Sequence, residues 1–196
     1  MHISEILTES LMLQELSIPP TMGKAIRILQ DAGYEHMGAG NFAEVYRKPG
    51  DNHVIKLFGF SDLAYPKFVQ LAQSTSNPHF PKFKGKLMKV TKDYYAVRME
   101  KLNPITEGAI PYSGIKMSSA SLAYAINDYV RLKKGLGNNY IPDDKVKTIM
   151  EELELSQPGI TEACDFIAGM TDVYPDIHKN NLMLRGKTLV ITDPVV

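Results

Sequence analysis

The sequence predicts an α+β fold in three parts: a helical extension over residues 1–33, a five-stranded antiparallel lobe over 34–102, and a minimal helical lobe over 103–196. Three observations carry this reading. Between 34 and 102, short runs of β-branched, aromatic and aliphatic residues are separated by Gly, Pro, Asn and Asp turns. After Asn103-Pro104, apolar residues recur at helical spacing. Residues 174–196 then place two apolar runs, 181–184 and 188–192, on either side of Arg185-Gly186-Lys187, the pattern of a β-hairpin.

In order along the chain, residues 2–16 space Ile3, Ile6, Leu7, Leu11, Leu13 and Leu16 as an amphipathic helix, with Glu5, Glu9 and Glu15 among its polar positions. Pro19-Pro20 ends it. A second helix starts near Thr21, turns Met22, Ala25, Ile26 and Leu29 inward, and stops at Gly33. Both are expected to pack on the sheet that follows. Strand-like residues lead into Gly38-Ala39-Gly40, and strands over 43–47 and 53–58 flank the turn Pro49-Gly50-Asp51-Asn52. A helix over 61–75 carries Ser61 at its N-cap and Pro66 in its first turn. Asn77-Pro78-His79-Phe80-Pro81 breaks the pattern, and strands over 83–90 and 93–99 complete the lobe.

In the last lobe, Leu122, Ala123, Ala125, Ile126, Tyr129, Val130 and Leu132 mark a helix over 118–134. Asp143 or Asp144 caps a second helix running to Leu155. Thr161 caps a third, which turns Ala163, Phe166, Ile167 and Met170 inward and delivers Tyr174-Pro175-Asp176.

Composition narrows the function. Twenty-two basic and 22 acidic residues cancel, so no global charge draws the chain to nucleic acid or to an anionic membrane. Cys164 is the sole cysteine, which rules out an internal disulfide and a thiol-rich zinc site and fits a reducing, cytoplasmic compartment. The expected reading of Cys164 is a small buried apolar residue. No apolar run approaches the roughly 18–20 residues that span a bilayer, and the N-terminus lacks the basic and apolar regions of a signal peptide.

Two constellations carry chemistry. A hairpin at the end of the chain folds its two outer ends together, so the carboxylates of Asp176 and Asp193 and the amide of Asn181 are expected to converge, with His178 positioning the loop. Oxygen ligands without thiolates suit a hard cation such as Mg²⁺, which keeps several waters and binds substrate phosphates. Read alone, the same residues also suit an Asx-rich turn around an ordinary hairpin. Upstream, Gly38-Ala39-Gly40-Asn41-Phe42 lies between two strands and lets backbone amides approach an anion, with Val45 and Lys56 on the next strands. Gly-Lys-Ser/Thr is missing, so this is no Walker A loop, and a strand rather than a helix follows the glycines, so it is no dinucleotide fingerprint.

Taken together, in this order, the two sets resemble the protein-kinase-like superfamily. Gly38-x-Gly40-x-Phe42-x-x-Val45 is similar to its glycine-rich loop, and Val54-Ile55-Lys56 to the strand that carries its phosphate-pairing lysine. Met99-Glu100-Lys101-Leu102 is similar to its hinge. Asp176-Ile177-His178-Lys179-Asn180-Asn181 resembles the catalytic loop of the aminoglycoside and choline kinase branch, followed by the metal-binding Asp193. The resemblance implies a kinase-like fold, with ATP and Mg²⁺ as cofactors. Gly38, Ala39, Gly40, Asn41 and Phe42 would cover the phosphates, Lys56 would pair with them, and Val45 and Met99 would line the pocket. Glu100 would offer a carbonyl and Leu102 an amide to the adenine. Asp176 would accept the proton of a protein or small-molecule hydroxyl, while Asn181 and Asp193 hold the metal.

The chain also departs from the family. Ala43 stands where most protein kinases have a third glycine. The family's helical glutamate, which pairs with the strand lysine, has no counterpart, because no Glu occurs between residues 57 and 99. Either Asp62, or Glu5, Glu9 or Glu15, orients Lys56, or Lys56 is not held in an active geometry. Pro175 precedes Asp176 where an arginine would read a phosphate, and three residues follow Asp193. Activation-loop control and a peptide-docking platform are therefore expected to be missing. Two functions follow: a phosphotransferase, or a kinase-like protein of weak or no activity that inhibits or sequesters a partner. The opening Met-His-Ile-Ser-Glu-Ile-Leu-Thr-Glu and the pared-down length resemble small proteins of tailed bacteriophages, which implies action on a protein in the host cytoplasm.

Overall fold

The computed structural model describes residues 21–40, 43–59, 63–90, 94–106, 117–137 and 140–196. The helix expected over 2–16 lies outside these, as do Asn41, Phe42, Ser61, Asp62 and the three N-terminal glutamates. The described chain is mixed α+β and divides into two compact units. One holds the described residues up to Leu63 with Phe83–Lys101, the other Ala64–Lys82 with Leu102–Val196.

The first unit is a five-stranded antiparallel sheet carrying one helix, α1 (Met22–Asp31). Its strands are β1 (Glu35–Ala39), β2 (Ala43–Arg47), β3 (His53–Gly59), β4 (Phe83–Lys89) and β5 (Tyr94–Glu100), in the order β1-β2-β3-β5-β4. Thr21 caps α1, its hydroxyl accepting the Lys24 amide at 3.3 Å, and Gly33 leaves the helix with φ of 82°. Ala25 and Leu29 are fully buried against Tyr34, Tyr46, Ile55, Leu57, Val90 and Ala96. Burying Leu29 alone stabilises this contact by about 1.5–3 kcal/mol. Tyr46 and Ile55 stand opposite one another, as do Leu57 and Ala96, so the helix covers one face of the sheet. Lys56 alternates with Ile55 and Leu57 and faces the other way.

The second unit is built on four helices and a small sheet. The helices are α2 (Ala64–Ser74), α3 (Ser119–Lys133), α4 (Asp143–Ser156) and α5 (Ile160–Ala168). The sheet is antiparallel, with β6 (Asn103–Pro104), β7 (Leu182–Arg185) and β8 (Thr188–Ile191) in that order. Pro66 sits in the first turn of α2, where a missing N–H costs nothing. Its core gathers Phe68 and Val69 of α2, Leu122 and Ile126 of α3, Met150 of α4, Ile160 of α5 and Ile191 of β8. No helix among the described residues is long and apolar enough to cross a membrane.

Three local expectations are corrected. Neither Asp143 nor Asp144 caps α4: the N-cap is Pro142, without a side-chain bond, and both aspartates lie in the first turn, where their charge opposes the positive end of the helix dipole. Thr161 does not cap α5 either. Gly159, with φ of 91°, holds the N-cap, and the capping acceptor comes from the preceding helix. Glu154 takes the amides of Gly159 at 2.6 Å and Thr161 at 2.9 Å, and the Thr161 hydroxyl at 2.7 Å. Phe166 is 37 % exposed instead of inward, and Cys164 takes the buried position. Burial pushes the Cys164 thiol far above its ordinary range, so it is an apolar core residue.

Candidate functional site

In the second unit the hairpin brings the two ends of the last segment together. Pro175 bridges Val195 in antiparallel fashion, and Tyr174 and Val196 exchange backbone bonds at 2.8 and 2.9 Å. The Asp176 amide donates to the Pro194 carbonyl at 2.8 Å, which sets Asp176 beside the residue that follows Asp193. A 3₁₀ turn over Lys179–Asn181 reverses the chain into β7. Within it the Asn181 amide N–H donates to the His178 carbonyl at 2.8 Å, and the Asn180 amide donates to His178 Nδ1 at 3.3 Å. His178 therefore shapes the loop, as expected.

Asn181 is held on both its side chain and its backbone. Its side-chain Nδ2 donates to the Asp176 carbonyl at 2.8 Å. Its own carbonyl accepts the Thr192 amide at 2.8 Å and the Thr192 hydroxyl at 3.1 Å. With Nδ2 committed to the Asp176 carbonyl, Oδ1 takes no hydrogen bond among the described residues. The Asp176 carboxylate, on an exposed residue, also makes no hydrogen bond or ion pair among the described residues. Its backbone, by contrast, is fixed on both sides. The next amide, Ile177, donates to Asn127 Oδ1 on α3 at 3.0 Å.

These residues pass a simple test for a hard cation. The set is oxygen-only, with an uncommitted amide oxygen at Asn181 and the partly buried Asp193 one residue beyond Thr192, which is bonded to Asn181. Among the described residues no group of three or more His, Cys, Asp or Glu side chains gathers for a metal. A pair made of one amide and one carboxylate is short of a closed cage. A hard cation held there would need water and substrate phosphate for its remaining ligands.

The sheet of the first unit places the other predicted residues in register. Gly38 stands opposite Val45, Val45 opposite Lys56, and Lys56 opposite Val97, one row across four strands. Val54 and Met99 pair in the same way two residues along. Directly opposed residues share a face, so Gly38, Val45, Lys56 and Met99 lie together on the face that α1 leaves uncovered. A register shift between His36 and Gly38 makes this alignment, since it sets Gly38 rather than Met37 against Val45. Lys56 is only 7 % exposed, and Val97 and Met99 are buried. Lysine is among the residues least often buried, so Lys56 is no ordinary solvated strand lysine.

The glycine turn closes through the Gly40 amide, which donates to the Ala43 carbonyl at 2.7 Å. Neither Gly38 nor Gly40 takes a positive φ. Among the described residues, a Cβ added at Gly38 meets nothing within 4 Å, and at Gly40 only the Ala43 carbonyl at 4.0 Å. Among the described residues, neither the packing nor the backbone demands a glycine at either position.

The hinge-like residues are anchored by the β2–β3 turn. Glu100 pairs with His53, and the Lys101 amide donates to the Asn52 carbonyl at 2.8 Å. His53 bonds Asp51 through its amide at 3.1 Å and its Nδ1 at 3.2 Å, and Arg98 reaches the same carboxylate at 3.3 Å. Burial pushes the Asp51 carboxyl up, but the His53 bond and the Arg98 charge outweigh it and hold it below the ordinary range. Leu102, buried, belongs to the second unit. So does α2, which contains no acidic residue.

Sequence reasoning missed Asn127 and Asp128, two buried polar residues on α3. The apolar periodicity of the helix conceals them, and a polar pair flanked by Ile126 and Tyr129 is the available signal. A comparison with protein-family models finds no match to this chain, and a comparison with curated proteins finds none either.

Proposed function

We propose that this chain is an ATP- and Mg²⁺-dependent phosphotransferase of protein-kinase-like fold that acts on a hydroxyl. One observation carries the reading. Three backbone-directed hydrogen bonds fix the chain on both sides of Asp176, while its carboxylate makes none among the described residues. An Asx turn of purely structural use spends its carboxylate on nearby amides. A held backbone with an uncommitted carboxylate suits a group that receives a proton from an acceptor hydroxyl.

In this reading Asp176 orients the hydroxyl and takes its proton, and Lys56 pairs with the nucleotide phosphates. Asn181 Oδ1 and Asp193 would hold Mg²⁺, which would supply charge neutralisation to a bound phosphate. Gly38 and Gly40 leave the turn open to close approach by phosphate oxygens, and Val45 and Met99 give the nucleotide an apolar surface. Catalysis is then chiefly positioning and electrostatic stabilisation. A nucleotide and a hydroxyl-bearing protein or small molecule are the implied partners.

One observation favours a second reading, a kinase-like protein that binds a partner with little turnover. Where the kinase resemblance implies an acidic residue on the helix after the lysine strand, α2 contains no acidic residue. Incubation with γ-labelled ATP and Mg²⁺ or Mn²⁺, with and without bacterial lysate, separates the two. Label transfer by the wild type that is lost in Asp176→Asn and in Asp193→Ala is the expected result. Absence of transfer under all these conditions, with metal-dependent ATP binding intact, would leave the binding protein instead.

A further inference from the structure

We infer that Asn127 is a positioning residue for Asp176, a role that rests on the phosphotransferase reading. Helix α3 buries two consecutive polar side chains, Asn127 at 7 % and Asp128 at 0 % exposure. The helix backbone needs neither of them, and a buried polar group is costly unless it is hydrogen-bonded. Each is spent on backbone amides outside the helix. Asp128 Oδ2 takes the amides of Tyr140 and Ile141, both at 2.9 Å, and so ties down the segment that enters α4. Asn127 Oδ1 takes the amide of Ile177, the residue after Asp176, at 3.0 Å.

Residues 176–178 belong to no helix or strand, so the Ile177 amide has no partner from regular structure. Left buried without one, it would carry an uncompensated desolvation cost. The other two bonds around Asp176, its amide to Pro194 and its carbonyl from Asn181, come from the final segment itself. The bond to Asn127 is different in kind, because it refers the loop to a helix of the core. Its consequence is directional. The Asp176 carboxylate has no hydrogen bond of its own among the described residues, so only the backbone sets its aim. Without the Asn127 bond the 176–177 peptide is held on its carbonyl side alone, by Asn181 Nδ2, so the plane can tilt and shift the Asp176 carboxylate relative to Asn181 and Asp193.

The test compares Asn127→Leu, which removes the acceptor at similar volume, with Asn127→Asp, which keeps an oxygen in its place. Measured on the full chain are thermal melting, amide hydrogen exchange at Ile177, and kcat and KM for ATP in label transfer. The leucine variant is expected to speed Ile177 exchange and lower kcat about tenfold or more, with KM for ATP within about twofold, since the nucleotide and metal residues are untouched. Asn127→Asp should restore Ile177 protection and most of kcat. If the leucine variant does not melt cooperatively, Asn127→Ser is judged by the same criteria. Unchanged kcat in a variant whose Ile177 amide has been released would overturn the inference, as would failure of Asn127→Asp to recover kcat while protecting Ile177. No transfer by the wild type itself defeats the phosphotransferase reading and the positioning role with it. The two failures are thereby told apart.

Discussion

Gly38 and Gly40 show how a residue can be free of structural duty. A glycine kept for the fold has a positive φ or a neighbour crowding its missing Cβ, and among the described residues these two have neither. Alanine at either site fits the backbone and restricts the unfolded chain, which stabilises by up to about 1 kcal/mol. Gly38→Ala and Gly40→Ala are therefore expected to melt at or slightly above the wild type, yet to bind ATP at least about fivefold more weakly if phosphate oxygens approach there. A drop in melting temperature with unchanged ATP affinity would show that the glycines serve the fold. Lys56 makes the complementary point. Its sequence context fits a solvated strand lysine equally well, and only its burial and its row with Gly38 and Val45 set it apart. The same holds for Asn181. Its place five residues after Asp176 is visible in the sequence, but which atom is spent on Asp176 and which is spared is a matter of geometry.

Among the elements, strands and helices follow their hydrophobic periods closely. Expected ends agree within about two residues for most of them, the usual scatter of assigned boundaries. The helix starts are where local reasoning fails. Thr21 and Ser118 cap α1 and α3 with their own hydroxyls, a signal carried entirely by nearby residues. The N-terminus of α5 is capped from outside its own first turn: Glu154 reaches over from the end of α4, while Asn77 steadies the turn by donating to the Gly159 carbonyl at 2.9 Å. His79, 1 % exposed, adds ring contacts to the carbonyls of Leu189 at 2.7 Å and Pro158 at 3.0 Å, joining β8 to the same turn. The sequence shows Asn77-Pro78-His79 as a chain break. Its partners lie about 80 to 110 residues away, beyond the reach of any local rule. The Glu154 cap has a pH signature. Burial raises its carboxyl, but bonds from Gly159 and Thr161 outweigh this and hold it below the ordinary 4.5. A depressed carboxyl contributes stability above its unfolded value and loses it as pH falls through the folded one. The stability advantage of the wild type over Glu154→Gln, read from urea midpoints, should thus be full near pH 7 and shrink on acidification below about 4.5. An advantage independent of pH would contradict the cap.

On the scale of the whole molecule, the five-stranded sheet and the closing hairpin were legible because each arises from short apolar runs and turn residues. The small third strand, Asn103–Pro104, was not, since two residues carry no period at all. The grouping of α2 with the helical unit was equally hidden, because nothing in its own sequence states what it packs on. Asp176, Asn181 and Asp193 are legible in the sequence, and the hairpin gathers Asp176 and Asn181 beside the segment that holds Asp193. The helix that fixes Asp176 from outside the hairpin came only with the structure. What unites these observations is the claim that Asn181 and Asp193 hold a metal on which nucleotide binding depends. Equilibrium calorimetry of ATP binding, with and without Mg²⁺, on the wild type and Asp193→Ala tests it most directly. Binding that requires Mg²⁺ and weakens at least about tenfold in Asp193→Ala is the predicted result. ATP binding of equal strength with or without Mg²⁺, or unaltered by Asp193→Ala, would contradict it.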